Sequence, residues 1–314
     1  MYDMPKITAI ITNYNGRLIL EKCLPETHAI LMAHGIHEII LADDCSTDDS
    51  LDYVSKNFPD IIHSTRSKNG GFSANCNSGA KKATGDIFFF LNNDMVPKKL
   101  NITSIHQLFN ENPQLFSLSP KIERHQDGKL IDESPSYGYF KGGWFHTISG
   151  KKAPNTPTLA KLFPILWGCG GALFVNKTKF NELNGFSETF FVAYCEDLDL
   201  CYRAWRLGFE NYYTADTSCF HHHQSTLSKH FTSNTITNIS LTNRYIFTWR
   251  NLTNRSYIVH HLFGVFIRIL FFQFDHIKAI LKALTRLSQI FLFRRKFKSK
   301  RSDKEILDLF AIKS

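Results

Sequence analysis

The sequence predicts an α/β fold: a mostly parallel, doubly wound sheet with helices on both faces, followed by a helical C-terminal extension. Three observations carry this prediction. Apolar runs at residues 7–12, 39–42 and 87–91 are short, rich in Ile, Leu and Phe, and lack polar alternation, as strands buried on both faces do. Helix-period segments at residues 18–33, 49–58 and 73–83 alternate with them. Each apolar run ends in a polar loop: Asn13-Tyr14-Asn15-Gly16, Asp43-Asp44-Cys45-Ser46-Thr47-Asp48 or Asn92-Asn93-Asp94. Short strand-helix connections dictate parallel pairing, and such sheets take their ligands beyond the carboxyl ends of the strands.

In chain order, the first strand leads into Thr12, Asn13 and Asn15 and the second into Asp43 and Asp44, so polar side chains gather at one sheet edge. Ser46 and Thr47 are placed to cap the following helix, with Asp49 completing a capping box. Asn69-Gly70-Gly71-Phe72 opens the third helical stretch. Its glycines allow close backbone approach, the helix start favours an anion, and Arg66 and Lys68 can neutralise phosphate charge. Asp94, with the amide oxygen of Asn92 or Asn93, offers hard ligands for a divalent cation, Mg²⁺ or Mn²⁺, which can in turn hold a diphosphate. The same tripeptide also suits a turn.

Residues 124–166 contain Gly, Pro and Trp without a readable period. Gly168-Cys169-Gly170-Gly171 fits a bare backbone floor under a ligand and, equally, a tight lead into a strand; it lacks the third glycine of a dinucleotide fingerprint. Leu198, Cys201, Tyr202 and Trp205 recur at helical spacing, so Glu196-Asp197 starts an amphipathic helix ending near Gly208. Carboxylates there gain from the helix dipole and are also suited to proton transfer. A strand over residues 212–220 leads into His221-His222-His223, and alternation puts His221 and His223 on one face.

This ordered set resembles the family-2 glycosyltransferases of the GT-A fold over roughly residues 5–230. It comprises the three strand-end loops, Asn69 to Phe72, Cys76-Asn77-Ser78-Gly79, the glycines from Gly168, Gly185-Phe186-Ser187-Glu188, Tyr194 to Leu200 and the histidines. The remainder is similar to the tail of rhamnosyltransferase-like members, dividing the chain into a catalytic domain, 1–230, and a basic helical extension, 231–314. The resemblance implies an inverting, metal-dependent hexosyl- or deoxyhexosyltransferase. Its donor would be a UDP- or dTDP-linked sugar, and its acceptor a hydroxyl of a saccharide or lipid-linked saccharide in surface polysaccharide synthesis.

By the same resemblance, Asp43 binds the base and Asp197 is the general base, with Glu196 in support. Asp94 and either His221 or His223 hold the metal. Thr12, Asn13, Asn15, Asp44, Arg66, Asn69, Gly71, Phe72, Asn77, Asn92 and Asn93 complete the donor site. Asn92 stands where many members carry Asp, so Asp94 is the one carboxylate of that motif. That departure keeps a second function in view, a catalytically silent sugar-nucleotide-binding subunit of a polysaccharide assembly complex. A nucleotide-sugar pyrophosphorylase would carry a Gly-rich, basic loop after the first strand, unlike Asn13-Tyr14-Asn15-Gly16.

Composition adds a place in the cell. Seven cysteines without a Cys-x-x-Cys pair argue for a reducing compartment, and the short segment before the first strand does not read as a signal peptide. The expectation is a cytoplasmic protein. Residues 231–314 hold fifteen Lys and Arg against four Asp and Glu, whereas the rest of the chain is slightly acidic and shows no nucleic-acid-binding module. Ile277, Ile280, Leu281, Leu284, Leu287 and Phe291 recur at helical spacing before the basic run 294–301, which predicts an amphipathic helix. Peripheral docking on the anionic inner face of the cell membrane follows, with packing in a homo-oligomer as the competing use of those helices.

Overall fold

The structure is a computed structural model that describes residues 4–222 and 232–311. Strands β1 (Ile7–Asn13), β2 (Glu38–Asp43), β3 (Ile62–Thr65) and β4 (Ile87–Asn92) form a parallel half-sheet in the order β4-β1-β2-β3. Helices α1 (Arg17–Ala33), α2 (Ser50–Asn57) and α3 (Gly71–Lys82) make the crossovers. The unbroken apolar runs are explained by burial: Phe88, Phe89 and Phe90 are all inaccessible, and Phe89 stacks on Phe174 at 3.8 Å. The predicted capping box is absent. The amide and hydroxyl of Ser46 both go to the nearer Asp43, and α2 begins after Asp49 without a side-chain cap.

Beyond β4 the sheet becomes mixed. β5 (Met95–Lys99) and α4 (Ile102–Glu111) lead to β6 (Leu115–Gln126) and β7 (Lys129–Asp132). The stretch without a period then forms the hairpin of β8 (Ser136–Lys141) with β9 (Trp144–Ser149), followed by β10 (Leu162–Pro164). β11 (Ala172–Asn176) lies antiparallel between β4 and β6, and β12 (Glu210–His221) runs parallel to β6 and antiparallel to β5. Between β11 and β12 come α5 (Lys177–Glu182) and α6 (Glu196–Arg206). The end of β12 is thereby brought against the Asn92–Asp94 turn.

The C-terminal extension consists of α7 (Ser233–Asn251), α8 (Arg255–Leu270), α9 (Phe274–Leu284), α10 (Leu287–Lys296) and α11 (Asp303–Asp308). It shares one apolar core with the preceding part of the chain, joining Tyr245, Ile280, Ile290 and Ile306 to Tyr202 and Trp205 of α6. Burying a side chain of this size contributes about 1.5–3 kcal/mol. A charged network reinforces the seam: Asp199 of α6 accepts from Arg203 at 2.7 Å, Arg250 at 3.0 Å and Asn251 at 2.7 Å, and it is fully buried. Although burial alone would raise the Asp199 carboxyl, the two arginines hold it below its ordinary range.

Two expectations about the extension are corrected. The single amphipathic helix over 277–291 is two helices: past Leu284 the amides of Thr285 and Arg286 bond three residues back, to Lys282 and Ala283, and the chain leaves the α-helical ladder before Leu287. The basic run 294–301 is also divided. Arg294 donates inward to the carbonyls of Trp249 and Leu252 and Arg301 pairs with Glu210, while Arg295, Lys296, Lys298 and Lys300 stay exposed. Among the described residues no helix is long and apolar enough to cross a membrane.

Candidate active site

The carboxyl ends of β1, β2 and β4 are neighbours in register, Asn13 beside Asp43 and Thr12 beside Asn92. Asp43 is fully buried and accepts from the Ser46 amide (2.8 Å), the Ser46 hydroxyl (2.6 Å) and Asn13 Nδ2 (2.9 Å). These three bonds leave about one of a carboxylate's four lone-pair sites for a ligand. The Asn15 side chain accepts from the Thr47 amide at 2.7 Å, Asn93 Nδ2 donates to Asn13 Oδ1 at 2.8 Å, and Thr12 donates to Asn92 Oδ1 at 3.1 Å. At Gly16 a Cβ would lie 2.2 Å from Asn13 Oδ1, so only glycine lets these side chains close on the loop.

Asp44 faces the glycine loop. It accepts from the amides of Gly70 (2.9 Å) and Gly71 (2.7 Å) and pairs with Arg66 Nε at 2.9 Å. Burial raises its carboxyl, and those donors offset part of the rise. Arg66 thus braces the loop, Asn69 at its start is exposed, and Phe72 packs edge-on against Phe186. Asn77 bonds both the amide and the carbonyl of Phe186, so its polar atoms hold a turn. Asn75, which the sequence did not single out, donates to the Ala42 carbonyl at 2.8 Å and ties α3 to the end of β2.

At the end of β4, Asp94 Oδ2 lies 3.4 Å from His221 Nε2. Glu133 bonds the other ring nitrogen, Nδ1, at 2.5 Å and thereby turns Nε2 toward Asp94. Burial opposes charge on His221, but the bonds to Asp94 and Glu133 outweigh it and push the imidazole up to about 9. His222 lies against Phe220 on the opposite face, as alternation requires. His223 is outside the described residues. No group of three or more His, Cys, Asp and Glu among the described residues is arranged to hold a metal ion. Asp94 Oδ2 and His221 Nε2 offer one oxygen and one nitrogen ligand, and a divalent cation there would displace the proton that the raised imidazole holds.

The third group is the start of α6. Asp197 accepts from the Gly170 amide at 3.2 Å and from its neighbour Leu198 at 2.8 Å. Glu196 is buried, and its Oε2 has no hydrogen-bond partner among the described residues. Burial raises both carboxyls, and Glu196 is raised further by the charge of Asp197. The loop before them is held in an unusual shape, with Val192, Tyr194 and Cys195 at φ of 51°, 76° and 70°. Asn243 of α7 fixes it, accepting from the Phe191 amide and donating to the carbonyls of Phe191, Ala193 and Tyr194. On its other side the Val192 carbonyl accepts from the Phe72 amide at 3.3 Å, and a Cβ at Gly71 would lie 2.9 Å from that carbonyl oxygen.

Gly168 to Gly171 joins the groups. A Cβ at Gly171 would lie 2.8 Å from Asn92 Nδ2, and the thiol of the partly buried Cys169, pushed up to about 12 chiefly by desolvation, also feels the charges of Asp197, Glu133 and Asp94. The sequence model of glycosyl transferase family 2 matches residues 8–166. The chain belongs to glycosyltransferase family 2. An uncharacterized glycosyltransferase of Nostoc sp. is 33% identical over 136 residues, 42% of either chain. The N-acetylglucosaminyl-diphospho-decaprenol L-rhamnosyltransferase of Mycobacterium tuberculosis is 23% identical over 204 residues, 59% of this chain and 66% of that one. The family-2 chain thus spans under half of the first relative and just under two thirds of the second. The crystal structure of GalNAc-T7 with UDP, GalNAc and Mn²⁺ superimposes with a TM-score of 0.62 at 13% identity, over 81% of this chain and 49% of that one. The fold of this glycosyltransferase is therefore GT-A.

Proposed function

We propose that this family-2 glycosyltransferase moves a hexosyl or deoxyhexosyl group from a UDP- or dTDP-linked sugar to a hydroxyl of a saccharide or lipid-linked acceptor, with inversion, in surface polysaccharide synthesis. The observation that carries the proposal is the convergence of Asp43, the Asp94–His221 pair and Asp197 around one sheet edge and the segment Gly168 to Gly171. Asp43 accepts a hydrogen bond from the imide N–H of the base through its remaining lone pair. Thr12, Asn13, Asn15, Asn92 and Asn93 shape the ribose and diphosphate side, and Gly71 with Phe72 borders the sugar.

Asp197 removes the proton of the acceptor hydroxyl, and that oxygen bonds to the anomeric carbon from the face opposite the leaving group. The bond from the anomeric carbon to the diphosphate breaks, its electron pair stays with the nucleotide, and the proton remains on the Asp197 carboxyl. The raised carboxyl makes Asp197 a stronger base than an exposed aspartate, and Glu196 keeps the pocket from carrying a second full charge. Asp94 and His221 would hold a divalent cation, which when bound neutralises charge on the nucleotide diphosphate. In this reading the extension rests peripherally on the cytoplasmic face of an anionic membrane.

Thermal-shift measurements with UDP-, dTDP- and GDP-sugars plus Mn²⁺ or Mg²⁺ test donor binding, since a ligand of the folded state raises its stability. A shift with a UDP- or dTDP-sugar followed by acceptor-dependent turnover is expected. Binding without turnover on any saccharide or lipid-linked acceptor would favour the silent subunit.

A further inference from the structure

Phe191 opens the strained loop that leads to Glu196 and Asp197, and the last turn of α9 together with the turn that follows it lays two cations on its ring. Lys282 Nζ is 4.6 Å and Arg286 Cζ 4.3 Å from the ring centroid. Two like charges are thus held against one ring, an arrangement that repels itself unless an anion joins it. Neither side chain has a carboxylate partner among the described residues, and Arg286 Nε is buried without a hydrogen-bond partner. An aromatic ring holds a guanidinium in place while leaving its N–H edge free to donate.

The surface at the other end of α9, about 12 Å away along its axis, is apolar. Phe263, Phe266, Leu270, Phe271, Phe272 and Phe274, at the end of α8 and the start of α9, are each more than half exposed. Aromatic side chains bared in this number at one helical corner mark an interaction surface, and Lys278 and Lys282 further along α9 suit an anionic lipid interface. Phe272, at φ 50°, turns the chain between the two helices.

We propose that Lys282 and Arg286 bind the diphosphate of a lipid-linked acceptor whose prenyl chain stays in the bilayer beside the phenylalanine corner. The proposal rests on the transfer reaction given above and names its acceptor class. The charged pair holds the headgroup at the loop carrying Val192 and Tyr194, both partly exposed, so the saccharide reaches Asp197 along that loop.

The test uses the full chain and phosphatidylcholine vesicles with or without a few per cent undecaprenyl diphosphate. Flotation should show binding enhanced by the dopant, and the Lys282→Gln/Arg286→Gln variant should lose roughly thirty-fold in affinity for the doped vesicles. The variant should keep the wild-type melting shift with UDP and Mn²⁺, which verifies its fold and donor site. Equal affinity of variant and wild type for doped vesicles would overturn the proposal. So would inorganic pyrophosphate competing as well as the lipid at equal concentration, since the seat would then be one for soluble anions. Failure of the wild type to bind any sugar nucleotide would count against the transfer reaction instead, and the vesicle result would show it separately.

Discussion

The Gly170 amide donates to Asp197 Oδ2 at 3.2 Å, and a Cβ on Gly170 would lie 3.4 Å from the Asp197 Cβ and 3.2 Å from the Phe72 ring. Backbone from the glycine loop therefore orients the proposed base directly, with no intervening side chain. The substitution Asp197→Asn keeps this size and removes the basic electron pair. It should lower kcat by about 10²-fold or more while leaving donor affinity near that of the wild type. Near-normal kcat on a verified acceptor would exclude Asp197 as the base.

Metal dependence is checked at two residues. Asp94→Ala should abolish Mn²⁺-stimulated donor hydrolysis and transfer, because Asn92 and Asn93 offer only neutral oxygens. Glu133→Gln removes the carboxylate behind His221 Nδ1 and should weaken apparent Mn²⁺ affinity by roughly 10- to 100-fold. Titrating activity with Mn²⁺ after chelation measures both, and full activity of Asp94→Ala in chelator would refute the assignment.

Glu196 supplies a pH signature. Its carboxyl is raised in the fold by burial and by Asp197, so the folded protein binds a proton that the unfolded chain has already lost. Its stabilising contribution is complete below the unfolded value of about 4.3 and fades as pH rises toward the folded value. Since Gln does not titrate, the melting temperature of Glu196→Gln relative to wild type should climb as pH increases through this window. Calorimetry showing a flat or falling difference would contradict it.

Asn243→Ala removes four hydrogen bonds from a loop in which three non-glycine residues hold positive φ. Buried groups left unpaired cost about 1–3 kcal/mol each, and partial relaxation leaves an expected loss of about 2–4 kcal/mol by urea denaturation. A loss below about 0.5 kcal/mol, the range of an ordinary surface change, would show that the loop stands without its clamp.

Membrane docking calls for point changes, because deleting the extension would strip Ile280, Ile290 and Ile306 from the core they share with Tyr202 and Trp205. Wild type should float with vesicles containing acidic lipid in a salt-sensitive way, and Phe271→Ser/Phe272→Ser should not. Equal flotation of the two proteins would rule out the phenylalanine corner as the contact.

The parallel half-sheet was legible because burial on both faces leaves no room for polar alternation, and its ligand edge because Asn and Asp cluster where those runs stop. The start of α6 was legible from the spacing of Leu198, Cys201, Tyr202 and Trp205. Contacts across long stretches of chain were not. Glu133 meets His221 from 88 residues away, out of a segment with no period, and Asn243 reaches Phe191 from a helix whose polar residues look solvent-facing in sequence. The bonds of Asp44 to Gly70 and Gly71 were hidden for the same reason, since an acidic pair after a strand does not reveal which carboxylate faces inward.

The loop from Phe191 to Cys195 touches Phe72 on one side and Asn243 on the other. A hybrid spliced from two relatives at the seeming boundary near residue 230 would take this loop from one parent and its clamp from the other. The shape of the loop is therefore encoded in two distant stretches of chain, and a splice that is to preserve it has to carry both from one parent.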